Sequence, residues 1–102
     1  MGNSIIVMKD GGDVQGEVLD KVFNFQTGGL GVVSTSKDQI AQINIGLYSG
    51  DSPDQMLLTD QSELRGRFLN PNVTIKLSFN NQIKSIPPAF IKTVMFHDNI
   101  DS

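Results

Sequence analysis

The chain has 102 residues, 38% hydrophobic and 19% charged with a net charge of −3, which predicts one soluble domain spanning 1–102. Its cations are scattered singly and no stretch approaches the ~20 apolar residues that cross a bilayer, so we expect neither nucleic-acid nor membrane binding. Cysteine is absent, excluding a disulfide framework, and no basic leader is present, so we expect a cytoplasmic protein or one exported without a recognisable signal peptide.

Apolar residues recur with a period of two, which is typical of antiparallel strands. The apolar runs, in chain order, are Ile5–Met8, Val22–Phe25, Ile43–Leu47, Val73–Phe79 and Phe90–Phe96. Turn sequences rich in Gly, Pro, Asn and Asp separate these runs. Lys37–Ile43 and Thr59–Leu69 contain helix-forming residues, but each is expected to form a single turn at most. Many short strands of this kind predict an all-β fold, either a β-sandwich or a small barrel.

Two stretches of sequence occur twice in the same order, which indicates an internal repeat. Val14–Asp20 resembles Leu64–Asn70, and Lys37–Ile43 resembles Asn80–Ile86, 43 residues further on. Because a repeated β unit cannot bury its apolar face alone, we expect two units at 4–46 and 47–88 to face each other, with an extra strand at 89–97. The predicted core consists of Ile40, Ile43, Ile45, Leu47, Val73, Ile75, Leu77, Ile83 and Ile86.

The second of these repeats resembles the signature of the βγ-crystallin family. In that family each motif carries Asn/Asp-Asn/Asp-x-x-Ser/Thr-Ser, and Asn80, Asn81 and Ser85 match it in the second copy. The first copy matches at Asp38. The resemblance implies an antiparallel Greek-key β-sandwich made of two similar halves. It also implies calcium binding, with Asp38 and Asn81 as the remaining metal positions.

The position that supplies a hydroxyl ligand in the family is occupied here by Ala41 in one copy and Lys84 in the other. Calcium requires six to eight oxygen ligands, and an ammonium group would repel the ion. We therefore expect weak or lost calcium binding and no other cofactor. A calcium-binding stress or spore-coat type protein, as found among microbial family members, is the alternative that the resemblance suggests.

Catalytic signatures are scarce in the sequence. His97 is the single histidine, no serine lies in a Gly-x-Ser-x-Gly turn, and Gly28-Gly29-Leu30-Gly31 lacks the Lys-Ser/Thr pair of a phosphate-binding loop. These features favour a protein that is not an enzyme. A hydrolase using His97 with a carboxylate would require the histidine to lie in a cleft.

The sequence therefore favours a small structural or binding protein that acts through its surface. Phe90–Phe96 is an apolar run with one charge, and such a strand has to be paired, covered or used. We expect it either to pair within its own domain or to be an edge strand whose Phe90, Val94 and Phe96 contact a protein partner or a second copy. A virion or phage accessory protein, or an enzyme inhibitor that docks through this strand, is the alternative function.

Overall fold

The computed structural model describes residues 3–100, which form ten antiparallel strands in one curled sheet. The strands are β1 (Ser4–Met8), β2 (Asp13–Val18), β3 (Val22–Thr27), β4 (Gly31–Ser36), β5 (Ile40–Asn44), β6 (Asp54–Leu58), β7 (Glu63–Phe68), β8 (Val73–Leu77), β9 (Ile83–Ile86) and β10 (Ile91–Phe96). Two 3₁₀ turns, Lys37–Gln39 and Pro88–Phe90, precede β5 and β10, and a four-residue helical turn, α1 (His97–Ile100), follows β10. The all-β prediction is confirmed, whereas the sheet order does not confirm a Greek-key β-sandwich.

The same succession of five strands occurs twice, with a 3₁₀ turn before the fifth strand each time. The first unit comprises β1–β5 and the second unit β6–β10. Ser4 and Asp54 begin the two units 50 residues apart, and Ile40 and Ile91 begin their last strands 51 residues apart. These bounds correct the predicted units at 4–46 and 47–88. The strand predicted at 89–97 is observed as β10, but it is the fifth strand of the second unit and not an addition to the two units.

The order of strands in the sheet is β4-β3-β7-β6-β5-β10-β1-β2-β8-β9. Replacing each strand by its equivalent in the other unit reverses this order, so the sheet has an approximate two-fold axis between β5 and β10. Ile43 and Val94, which are equivalent residues, face each other across that axis and are both fully buried. The centre of the sheet is therefore also the centre of the core.

The two units exchange strands. The first half-sheet, β4-β3-β7-β6-β5, contains the β6–β7 hairpin of the second unit. The second half-sheet, β10-β1-β2-β8-β9, contains the β1–β2 hairpin of the first unit. Each unit thus supplies three strands to one half-sheet and two to the other, and neither half-sheet can form from one unit alone.

The core contains side chains from both units, as burial of alternate residues on each strand requires. Its fully buried side chains are Ile6, Val18, Phe23, Phe25, Ile40, Ile43, Met56, Val73, Ile75, Ile91 and Val94. Phe23 packs edge-on against Phe96, with 5.8 Å between ring centroids, and so joins the two units. Leu47 and Ile83, which were predicted to be core residues, are instead mostly exposed. Leu47 lies in the polar connection between β5 and β6, and Ile83 lies in β9 at the outer edge of the sheet.

Glycine is required where strands of different units meet. A Cβ on Gly16 of β2 would collide with the carbonyl oxygen of Lys76 in β8. A Cβ on Gly66 of β7 would collide in the same way with the carbonyl oxygen of Gln26 in β3. The residue pairs are equivalent, so the same close approach of backbones occurs at both exchanged contacts.

Candidate functional site

The two predicted calcium positions lie on different parts of the sheet. Asp38 is exposed in the 3₁₀ turn before β5, at the end of the first half-sheet. Asn81 is exposed in the β8–β9 turn of the second half-sheet, where it has a φ of 60° and its backbone N–H donates to the carbonyl of Leu77 at 2.9 Å. The residue equivalent to Asp38 in the second unit is Ala89, so the two positions do not correspond in the observed repeat.

The wider arrangement of acids offers no replacement for these positions. Among the side chains that the structure describes, which exclude that of Asp98, no three of His, Cys, Asp or Glu come together in a group that could hold a metal ion. Ala41 lies in β5 and Lys84 in β9, on different half-sheets. Calcium binding at Asp38 and Asn81 stays a prediction of the family resemblance.

β10, the strand in the apolar run Phe90–Phe96, lies at the centre of the sheet, so it pairs within its own domain and the edge-strand alternative is wrong. β10 pairs with β5 on one side and β1 on the other. Val94 and Phe96 are buried in the core and cannot contact a partner. Phe90 precedes the strand, in the 3₁₀ turn, and is exposed. The run is apolar because a central strand packs against the core, not because it awaits a partner.

His97 begins α1 immediately after β10 and is half-buried. Its Nε2 atom is buried and makes no hydrogen bond to the residues that the structure describes. Two residues further on, Asn99 donates to the carbonyl oxygens of Lys37 and Ile40, both at 2.8 Å. This part of the chain therefore attaches α1 to the first unit.

The strands at the two ends of the sheet are β4 and β9. In the described part of the chain β4 pairs with β3 alone, and β9 pairs with β8 alone. An outermost strand presents backbone N–H and C=O groups that no neighbouring strand satisfies, which makes it a template for another chain. The β3–β4 and β8–β9 hairpins, here called the edge hairpins, are equivalent elements of the two units.

Both edge hairpins carry large apolar side chains on their surface. Leu30 and Val32 on the first are 74% and 58% exposed, while Phe79 and Ile83 on the second are 81% and 61% exposed. Val32 and Ile83 occupy equivalent positions, 51 residues apart. The sequence alone did not identify these four residues as surface contacts. The signal in the sequence was their position next to Gly- or Asn-rich turns, where the alternation of buried and exposed residues along a strand stops.

A row of polar side chains crosses four adjacent strands on the outer face of the sheet, at Thr93, Asn44, Gln55 and Arg65. Asn44 accepts a hydrogen bond from Thr93 at 3.0 Å and donates one to Gln55 at 2.7 Å. The guanidinium of Arg65 lies 3.6 Å from the centroid of the Tyr48 ring. Since Tyr48 belongs to the connection between the units, this network holds residues 45–53 against the sheet.

The turns before β2 and β7 contain the same type of hydrogen bond, from a backbone amide to an Asp carboxylate. Backbone amides of Gly12 and Ser62 donate to the carboxylates of Asp10 and Asp60, at 2.9 and 2.8 Å. Hydrogen bonds from the Ser62 side chain and backbone lower the pKa of Asp60 below its ordinary value. These acids stabilise turns, as short polar residues commonly do.

Searches with protein-family models, of curated proteins and of solved structures find no match to this chain. In the part of the chain that the structure describes, no helix is long and apolar enough to span a membrane.

Proposed function

We propose that this chain is a non-enzymatic binding protein that acts through its surface and docks a protein partner along its edge hairpins. The observation that supports this most directly is the exposure of Leu30, Val32, Phe79 and Ile83. Each of these side chains is more than half exposed, and all four lie on the two outermost hairpins.

Two properties of an edge hairpin act together in such docking. The unpaired backbone groups of β4 or β9 can add a strand from a partner, which provides hydrogen bonds without sequence preference. The exposed side chains add apolar area, at roughly 25 cal/mol for each Å² removed from water, and select the partner's side chains. A virion accessory protein or an enzyme inhibitor would use the same edges.

The expected weak or lost calcium binding accompanies this proposal, because docking through an edge needs no metal. The Greek-key, βγ-crystallin-like interpretation is likewise a proposal. Its support is the match at Asn80, Asn81 and Ser85 and the presence of two similar units.

Selection of a random-peptide library on the immobilised protein tests the proposal. We expect extended, apolar peptides to be enriched and to shift NMR signals of β4 or β9. The double variant Val32→Lys, Ile83→Lys should lose this binding. Leu47→Lys, which changes an exposed leucine of the connection, is the matched control and should retain it. Enriched peptides that bind the double variant as well as the wild type, or no enrichment at all, would refute the proposal.

A further inference from the structure

We infer that β4 pairs antiparallel with β4 of a second copy of this chain, so that two sheets join across a two-fold axis. This inference rests on the proposed function and names the partner at one of the two edges. It starts from the β3–β4 hairpin, residues 22–36, which is a run of 15 residues without a charged side chain in a chain that is 19% charged.

β4 lacks the features that normally protect an edge strand. Natural sheets block their edges with lysine, proline, bulges or short strands. β4 has six residues, no proline and no charge, and its ladder with β3 is regular from Val22–Ser36 to Thr27–Gly31. Val32, Val33 and Thr35 are β-branched and favour the extended conformation.

The equivalent edge in the second unit has the protection that β4 lacks. β9 has only four residues and contains Lys84, and β8 beside it contains Lys76. Pro87 and Pro88 follow β9 directly, and neither can donate a backbone hydrogen bond. Because the two edges are equivalent in the fold, the fold itself does not demand this difference. β9 is therefore protected against pairing with a second copy of itself, and β4 is not.

A second copy is the occupant that an uncharged edge suits. When a strand pairs with itself across a two-fold axis, residues near the axis face their own copies, so any charge there repels itself. The β3–β4 hairpin has no charge to repel, whereas two copies of Lys84 would lie close together if β9 paired with β9. Pairing β4 with β9 of the next molecule would avoid that repulsion, but it would build an open filament and would meet the prolines beyond β9.

Sedimentation velocity over a wide concentration range tests the inference. We expect the wild type to be a dimer, Val32→Lys to be a monomer, and the matched variant Ile83→Lys to remain a dimer. Thermal melts and circular dichroism of both variants check that the fold is retained. The sequence contains no cysteine, so single variants can also trap the interface. Ser34→Cys should form a disulfide-linked dimer on mild oxidation, and Ser85→Cys, at the equivalent exposed position of β9, should not.

The outcomes separate this inference from the proposed function. A wild type that is monomeric at every concentration, with no preferential cross-linking of Ser34→Cys, overturns β4 self-pairing. Edge-specific peptide binding to that monomer would leave the proposed function standing. Dissociation by Ile83→Lys but not by Val32→Lys would also overturn the inference, since it would assign the contact to β9. Growing filaments disrupted by either variant would show pairing of β4 with β9 instead.

Discussion

Asp20 and Asn70 are equivalent residues, and each accepts a hydrogen bond from a backbone amide of the other repeat unit. The Asp20 carboxylate accepts from the N–H of Thr74 at 2.7 Å, and the Asn70 side-chain oxygen accepts from the N–H of Asn24 at 2.9 Å. The two bonds begin β8 and β3, where those strands enter the half-sheet formed with the other unit. A short acceptor side chain at the same position of each unit therefore fixes the strand at both exchanged contacts.

Removing either acceptor should destabilise the protein. We expect Asp20→Ala and Asn70→Ala each to lower the free energy of unfolding by about 1–2 kcal/mol, because a partly buried N–H loses its partner. Urea unfolding monitored by circular dichroism measures the change. Asp20→Asn is the control, since it installs the side chain that already serves at position 70. Equal loss in Asp20→Ala and Asp20→Asn would show that charge, not acceptance, matters.

Alanine at Gly16 or Gly66 should force apart strands from different units. We expect each substitution to cost at least about 1–3 kcal/mol, as overpacking does, because the added Cβ meets a carbonyl oxygen that cannot move freely. Gly28→Ala is the control, since a Cβ added there would have nothing within 4 Å. Thermal melts that rank Gly28→Ala with the other two variants would contradict the close approach.

Ile43 and Ile83 were both predicted to be core residues, but of the two only Ile43 is buried. Ile43→Ala should cost about 2–5 kcal/mol, since Ile43 is fully buried beside Val94 on the approximate two-fold axis. Ile83→Ala should change the free energy of unfolding by no more than about 0.5 kcal/mol, because Ile83 is 61% exposed. Chemical denaturation of both variants provides the measurement, and similar losses would place Ile83 in the core after all.

Calcium should not stabilise the protein appreciably. Asp38 and Asn81 lie on different half-sheets, and a calcium site needs several oxygen ligands at about 2.3–2.6 Å from one ion. We expect calorimetric titration to show no specific heat and the melting temperature to stay constant when calcium is added. Saturable binding that Asp38→Ala abolishes would support the family-type site instead. Ala41→Ser with Lys84→Ser tests whether the missing hydroxyls alone account for the loss.

The pKa of Asp60 should depend on the hydroxyl of Ser62. Ser62→Ala removes the hydrogen bond that lowers this pKa most, so the pKa should rise toward its ordinary value, while Ser62→Thr should keep it low. Carboxyl NMR titration measures both. Because the folded pKa is the lower one, the stabilising contribution is complete above the unfolded pKa and disappears as the pH falls through the folded pKa. An unchanged pKa in Ser62→Ala would assign the shift to the backbone amide.

The sequence predicted the strands better than their arrangement. Alternation located β8 correctly at Val73, Ile75 and Leu77, because one face of that strand is buried. The resemblance of Gly16 and its neighbours to Gly66 and its neighbours has the true spacing of 50 residues, since close backbone contact demands glycine at both places. The resemblance of Lys37–Ile43 to Asn80–Ile86 predicted the wrong equivalence. It aligned Ile40 with Ile83, whereas the structure makes Ile91 the equivalent of Ile40.

The position of a strand within the sheet could not be predicted from its own residues. β10 and β4 are both rich in β-branched residues, yet β10 is central and β4 is outermost. What separates them is pairing with segments far along the chain, which local composition does not encode. The exposed Val32 and Ile83 were missed for the same reason: their strands have a neighbour on one side only.

Because β1 pairs with β10, Ser4 lies opposite Phe96, and β1 cannot complete its pairing until β10 has been synthesised. Residues 4–44 can emerge from the ribosome without being able to complete either half-sheet. A chain truncated within the second unit would contain apolar strands without partners. Such a chain is expected to be bound by chaperones or degraded by proteases. The sheet is therefore expected to form only after β10 has been synthesised. Folding should be slow for a chain of this size, because strand pairs such as β1 with β10 are distant in sequence.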